Sequence, residues 1–247
     1  MMPRDWIVPD WPAPAAVRAF ATTRSGGVSG GEFASMNLGA GSGDEPKNVA
    51  LNRLTVREQL PAVPRWMKQV HGTTVADLDR LGESYVATAD AAIASQPGCV
   101  GVVLTADCMP LLLCDEAGTR VAIAHAGWRG MAAGVIENTV RAMNGVPSRL
   151  LAWMGPAIGP RAFEVGPEVR EAFIAADPDA DSAFRSQKPG KYMADLYLLA
   201  RQRLARAGVE NVHGGGFCTY TEADRFFSYR RVQASGRMGT FIWIEPQ

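Results

Sequence analysis

Histidine is scarce in this chain, its cysteines follow no pairing pattern, and net charge is absent. Lysine plus arginine and aspartate plus glutamate balance at 25 each, and the isoelectric point lies near 6.8. With no basic excess there is no electrostatic ground for a nucleic-acid partner, which ordinarily needs a basic face. No stretch reaches the roughly 18 apolar residues of a transmembrane helix, so no membrane partner is expected. The opening MMPRDWIVPDWPAPAAV has no apolar h-region and carries four prolines, so it does not read as a secretory signal. Cys99, Cys108, Cys114 and Cys218 lack CxxC spacing. Without an export signal they read as thiols rather than a disulfide framework. The expectation is a soluble cytoplasmic protein acting on a small molecule. No Gly/Ser or Pro linker and no internal repeat divides the 247 residues, and 47% are hydrophobic, enough for a sizeable core. Residues 1–247 therefore read as a single domain, and as a monomer.

Apolar patterning supplies the elements. VRAFATTR (17–24), WMKQV (66–70), TTVADL (73–78), VGVVLTA (100–106), LLAWMG (150–155) and GTFIWIE (239–245) read as strands. Asp44, as N-cap before Pro46, opens a helix through about Leu60. Residues 130–143, 167–176 and 194–207 read as further helices, the last with Leu196, Leu199, Ala200 and Leu204 on one face. MPLLLCDEAGTRVAIAHA (109–126) is two apolar runs around a turn, hence a β-hairpin. If Asp115 and Gly118 face each other, Cys108 stands opposite His125, within the roughly 4.5–5.5 Å Cβ separation of directly opposed residues. Hairpins between strands with helices outside imply an α+β layered fold with a mixed or antiparallel sheet.

Against that background the chemistry-bearing residues are few. Two of the three histidines sit in glycine-bracketed motifs, His71 in KQVHG and His125 in HAGWRG, and Cys108 lies in TADCMP. One thiolate and two imidazoles suit zinc, with copper next, and leave a tetrahedral ion one open position, as in a catalytic rather than a structural site. Any one of these residues alone would read as a buried small hydrophobe or a hydrogen-bonded core group; the three together favour a metal centre. The same residues also serve a metal-free reading, with Cys108 as nucleophile and His125 or His71 as base. Asp107 is either a group that hydrogen-bonds a ligand imidazole from behind or a turn-capping carboxylate. His213, in VHGGGF, reads as a loop residue. Cys114 and Cys218 are weak candidates for a fourth ligand. Gly127 and Gly130, with Arg129 and a helix start, suggest an anion site beside the metal. Arg24 in TTRSGG and Arg230/Arg231 in FFSYRR are further anion candidates. Phe226, Phe227 and Tyr229 are candidates for stacking a heterocycle. GPAIGPRAFEVG (155–166) reads as a rigid loop near the site.

TTRSGGVS, SMNLGAGSGDEP, the NR of residues 52–53, KQVHG, TADCMP, HAGWRG, GPAIGPRAFEVG, CTYTE and FFSYRR follow one another in this chain. In that order they resemble the laccase-domain family, also described as polyphenol oxidase-like, purine nucleoside phosphorylase and peptidoglycan editing factor. The resemblance runs nearly end to end, and is closest to the bacterial single-domain members. It implies a mixed-sheet α/β/β/α sandwich and a cytoplasmic enzyme with zinc held by His71, Cys108 and His125. It implies phosphorolysis of adenosine, inosine, guanosine and methylthioadenosine to base plus a ribose (or thioribose) 1-phosphate, with adenosine deamination as a further activity. Asn37, in SMNLGAG, joins Arg24, Arg129 and Arg230 as a candidate for substrate or phosphate contact.

Rival readings stay open. A metal-dependent amidase removing L-Ser from cell-wall precursors uses the same centre. A non-catalytic metal or nucleotide-binding module would tolerate a closed fourth position, for which no convincing ligand is present. Copper polyphenol oxidase chemistry is disfavoured, because three histidines cannot furnish a blue-copper site plus a trinuclear cluster.

Overall fold

The computed structural model describes residues 3–82 and 84–246; Met1 and Met2, which begin the stretch read as lacking a signal, lie outside them. Along the chain, β1 (Val17–Ala21) is followed by α1 (Pro46–Arg57), β2 (Met67–Lys68), β3 (Val75–Asp77), β4 (Ala87–Thr88), β5 (Ala91–Ala94) and β6 (Gly101–Thr105). The hairpin β7 (Met109–Asp115) and β8 (Val121–Ala126) leads into α2 (Trp128–Ala133), α3 (Val135–Ala142) and β9 (Leu150–Met154). Then come β10 (Glu164–Val165), α4 (Pro167–Ile174), β11 (Phe184–Lys188), β12 (Lys191–Ala194), α5 (Leu196–Arg206), β13 (Asn211–Gly214) and β14 (Met238–Ile244).

Period-two side-chain alternation sorts these strands into layers. A six-stranded mixed sheet runs β13-β9-β7-β8-β5-β3, antiparallel in its centre and parallel at both edges. In β7, Met109, Leu111 and Leu113 pack under the helices, whereas Leu112 and Cys114 face the other way. In β8, Ala122, Ala124 and Ala126 join the helical side, and Val121 and Ile123 the opposite side. That opposite side meets Val103, Ile242 and Ile244 of an antiparallel three-stranded sheet, β1-β14-β6. The outer face of the smaller sheet, Phe20, Val102, Phe241 and Trp243, is covered by Trp6, Met36, Leu38, Val56 and Leu60. Val56 belongs to α1. The order of layers is therefore helix, sheet, sheet, helices: the expected α/β/β/α sandwich of mixed sheets. Among the described residues no helix is long and apolar enough to cross a membrane.

Several local expectations are corrected. The helix read over residues 130–143 is two helices, because Gly134 adopts φ +102° and ends α2 in the left-handed conformation that glycine tolerates. Asp44 does not cap α1. Glu45 occupies the cap position without a side-chain bond, and the Asp44 carboxylate instead accepts from Ser29 Oγ (2.6 Å) and Asn37 Nδ2 (2.9 Å). The helix ends at Arg57, short of Leu60. His213 lies not in a loop but on β13, paired in parallel with β9. The hairpin turn is longer than read. Asp115 N–H donates to Arg120 O and the Asp115 carboxylate gathers the N–H groups of Thr119 and Arg120, so Pro110, not Cys108, pairs with His125. Cys108 sits two residues beyond, a diagonal neighbour still within reach. Strand β11 escapes a periodicity reading because FRSQK is polar and mostly exposed.

Leu112 is fully buried between the sheets. Leu112→Ala should cost about 2–5 kcal/mol. In urea unfolding the midpoint should fall while the slope m stays constant; an unmoved midpoint would mean that the inter-sheet layer relaxes into the void.

Candidate metal centre and its cavity

His71 comes from the turn after β2, Cys108 from the residue before β7, and His125 from the penultimate position of β8. Cys108 and His125 lie at ends of strands in the six-stranded sheet and His71 follows the two-stranded β2-β4 sheet, and one buried carboxylate joins the two histidines. Asp90, on the residue before β5, is fully buried. Its oxygens accept the N–H groups of Val70 (3.0 Å), His71 (2.9 Å) and Gly72 (2.7 Å). Its Oδ1 also meets His125 Nδ1 at 2.9 Å, and the His125 N–H donates to the Asp90 carbonyl at 2.7 Å. Burial by itself would raise the Asp90 carboxyl; the hydrogen bonds from His125 and from the N–H groups of Gly72 and Val70 outweigh it and hold the group below its ordinary value. An ionised carboxylate only accepts, so Nδ1 carries the proton and Nε2 is left to face Cys108.

The same three N–H bonds secure His71 in a left-handed conformation, φ +59°, which a non-glycine residue holds only when its surroundings dictate it. Asn138 of α3 adds a bond to Thr73 O (3.0 Å) just beyond. The donor atoms of His71, Cys108 and His125 lie within 4.8 Å of one another, with Cys108 Sγ 3.8 Å from His71 Nε2. A tetrahedral ion with bonds of about 2.0–2.3 Å sets its ligand atoms about 3.3–3.8 Å apart, so this donor set fits a metal with little movement. Among the described residues no further His, Cys, Asp or Glu joins the group. Cys114 is buried between the sheets, where burial drives its thiol up to about 12, and Cys218 lines a separate cavity.

Burial alone would raise the Cys108 thiol. The adjacent His125 charge and the hydrogen bonds from both imidazoles reverse this and bring it down to about 6. Burial would lower His125, but Cys108 and Asp90 favour its proton more strongly and raise it to about 9. Thiolate and imidazolium thus stabilise each other, and a cation between them takes the place of the Nε2 proton. The same polarised thiolate suits a nucleophile, so the metal-free reading draws on the same pair.

The glycines of HAGWRG have a steric role. A Cβ on Gly127 would lie 2.8 Å from Cys108 Sγ and 3.1 Å from His71 Cδ2; one on Gly130 would lie 2.9 Å from the Gly72 carbonyl. Their missing side chains keep space for the cluster.

The cluster borders a cavity of about 900 Å³, within the usual range for small-molecule sites. Among the described residues Arg53, Lys68, Arg129, Arg230 and Arg237 line it against a single carboxylate, Asp107. Arg129 stacks over Trp128 (4.3 Å), and Arg53 over Trp66 (3.8 Å) while donating to Leu38 O. Tyr229, half exposed, and Phe163 add aromatic surface.

Of the sequence-predicted contacts, Arg129 and Arg230 line this cavity and Arg24 and Asn37 do not. The Arg24 guanidinium is spent on the carbonyls of Ala34 (2.9 Å) and Ala223 (2.8 Å) and packs on Phe227. Asn37 is fully buried and braces the loops, bonding Ser42, Asp44, Gly39 and Arg237. Arg231 is likewise bound to the carbonyls of Thr219, Tyr220 and Phe226. Phe226 and Phe227 are core residues. Asp107 touches no imidazole: it accepts from Thr219, Ser228 and the Arg230 N–H. From the 155–166 loop, Ile158 and Phe163 reach the cavity, whereas Arg161 lines the separate one of about 370 Å³.

Sequence reasoning missed Asp90, Lys68, Trp66 and Arg237 and left Arg53 without a role. Asp90 had a signal: it is the one charge in an alanine-rich run, TADAAIA, where burial demands partners. Arg237, flanked by Gly and Met in SGRMG, had the glycine-adjacent pattern that drew notice to Arg24.

The family model described as multi-copper polyphenol oxidoreductase laccase matches residues 18–245. The chain belongs to this laccase family. Within it, a Pseudomonas aeruginosa protein named purine nucleoside phosphorylase is 56% identical over 97% of this chain and 98% of its own. Purine nucleoside phosphorylase YfiH of Escherichia coli is 55% identical over 96% and 98%. The solved structure of a Neisseria meningitidis protein superposes with a TM-score of 0.94 at 47% identity, covering 98% of this chain and all of that one.

If Asp90 orients His125 and clamps the His71 turn, Asp90→Asn should weaken metal binding about 10–100-fold. Competition with a chromogenic chelator measures this; unchanged affinity would show that the ligands hold their places without the carboxylate.

Proposed function

We propose that this laccase-family chain is a zinc-dependent purine nucleoside phosphorylase, acting on adenosine, inosine, guanosine and methylthioadenosine. The observation that carries the reading is one cavity whose wall holds the thiol–imidazole cluster and whose lining, among the described residues, sets five cationic side chains against one carboxylate. That cavity occurs in a chain 56% identical to a protein named for this activity. Phosphorolysis needs a site for an oxyanion and a surface for a purine, side by side.

The chain's own groups divide the work. Arg129, Arg230 and Arg237, which line the cavity, attract hydrogen phosphate and hold its oxygens. Tyr229, Phe163 and Trp66 offer faces to the purine. A phosphate oxygen forms a bond to the sugar C1′ as the C1′–N9 bond breaks, its electron pair leaving with the base. The phosphate's proton passes to a purine nitrogen, which balances the reaction as ribose 1-phosphate plus neutral base. His71, Cys108 and His125 would hold zinc beside the leaving base, where the ion supplies a Lewis acid. Oxocarbenium character at C1′ is countered by the bound phosphate itself. A purine lying against the same cluster also supports adenosine deamination.

The test is turnover of inosine with phosphate by the metal-loaded protein. Cys108→Ala should lower kcat/KM at least about 100-fold, about 2.7 kcal/mol of barrier, with the fold intact by circular dichroism. Undiminished turnover removes the centre from the mechanism. Release of serine from UDP-MurNAc-L-Ser, in place of hypoxanthine from inosine, would instead favour the amidase.

A further inference from the structure

We infer that Asp107 is a positioning residue, whose carboxylate fastens the Tyr229–Arg230 loop to the Cys108 turn and so sets where an anion meets Arg230. The inference rests on the phosphorolysis reading for its choice of anion. Asp107 precedes Cys108 in the left-handed region, φ +89°, which points its side chain away from the imidazoles. Oδ1 accepts from Thr219 Oγ1 at 2.6 Å; Oδ2 accepts from the Arg230 N–H at 2.6 Å and from Ser228 Oγ at 3.0 Å. The donors are themselves fixed: Thr219 and Ser228 are buried, the Thr219 N–H donates to Ala157 O, and Ser228 Oγ accepts the Arg231 N–H. The Asp107 carbonyl takes the Ile158 N–H at 2.9 Å, binding a third segment to the same residue.

Charge makes this arrangement informative. Among the described residues Asp107 is the single carboxylate beside five cations on the cavity wall. A carboxylate in an anion site repels its ligand, a cost the five cations outweigh; three neutral donors hold this one in place as an anchor. Tyr229 and Arg230 are exposed residues on a loop held from behind by this carboxylate. The Arg230 guanidinium is steadied at its other end by Glu164 O (2.7 Å) and the Phe163 ring. Freed at Asp107, the loop would lose its register against the metal ligands, while the ligand side chains, which the Asp107 carboxylate does not bond, would stay in place.

Asp107→Gly removes both carboxylate oxygens yet keeps the left-handed backbone and the carbonyl that accepts the Ile158 N–H. Asp107→Asn tolerates that backbone and retains one neutral acceptor. In the metal-loaded protein the phosphate KM should rise about tenfold in Asp107→Gly, equivalent to about 1.4 kcal/mol, and less in Asp107→Asn. The metal-to-protein ratio should match wild type, and kcat should fall less than KM rises. Titration calorimetry with inorganic phosphate alone should show the same order of weakening, and reads the inference without turnover. If the glycine variant does not fold, Asp107→Asn and Ser228→Ala, which removes one of the three bonds, carry the comparison. Wild-type phosphate affinity in these variants, metal loss in step with lost activity, or a wild-type protein that binds no phosphate would each overturn the inference. A wild-type protein that binds phosphate but leaves inosine intact sinks the phosphorylase reading instead, and the calorimetric order then decides Asp107's role.

Discussion

A single buried carboxylate carries the candidate centre. Asp90 is fully enclosed, and an ionised group in that position is tolerated only when its lone pairs are filled. Here three consecutive backbone N–H groups and one imidazole fill them. The consequence is geometric as much as energetic. The donors to Asp90 are the turn that bears His71 and the ring of His125, so satisfying the carboxylate and converging two of the three metal-ligand candidates are the same event. Cys108 then completes the set from the neighbouring strand start, in the space that the missing side chain of Gly127 leaves open.

The sandwich explains why this happens at the end of the sheet rather than in its middle. Between the sheets the layer is apolar and closed, with Leu112, Ile123, Trp153, Val103 and Ile242 buried against one another. His125 lies on the same face of β8 as Ile123, two residues further on, where the apolar layer gives way to the cavity. The loops that roof this end are fixed by polar contacts across long chain separations: Asn52 and Asn37 under one side, Asp107 under the other. Cationic side chains line this space, Arg53, Arg230 and Arg237 being steadied there by carbonyls of Leu38, Glu164 and Ser235.

Much of this was legible from residue order. Strands β6, β7, β8, β9 and β14 are apolar runs bounded by turns, and each is found where patterning put it within a few residues. The cysteine and two histidines were picked out by rarity and by their glycine-rich settings, and their donor atoms do converge. The failures have separate causes. Gly134 broke a helix that periodicity had run through, since periodicity registers side-chain character and not backbone φ. The hairpin register slipped by two because the Asp115 carboxylate closes a longer turn than DEAGT suggests. Arg24 and Asn37 resemble ligand-binding residues in sequence, yet their polar atoms are consumed by internal carbonyls, hydroxyls and carboxylates.

Local chemistry, then, is written in the chain: period two or 3.6 follows from which faces are apolar, and the thiol–imidazole donor set follows from the identities of three residues. Which arginines are free to meet an anion is not written there. Where a guanidinium ends up is set by partners from distant segments: Arg24 is held on Ala223 O away from the cavity, whereas Arg230, with Nη1 on Glu164 O, still lines it. Tertiary structure decides that competition, because hydrogen bonding is settled by distances in space that separation along the chain does not encode.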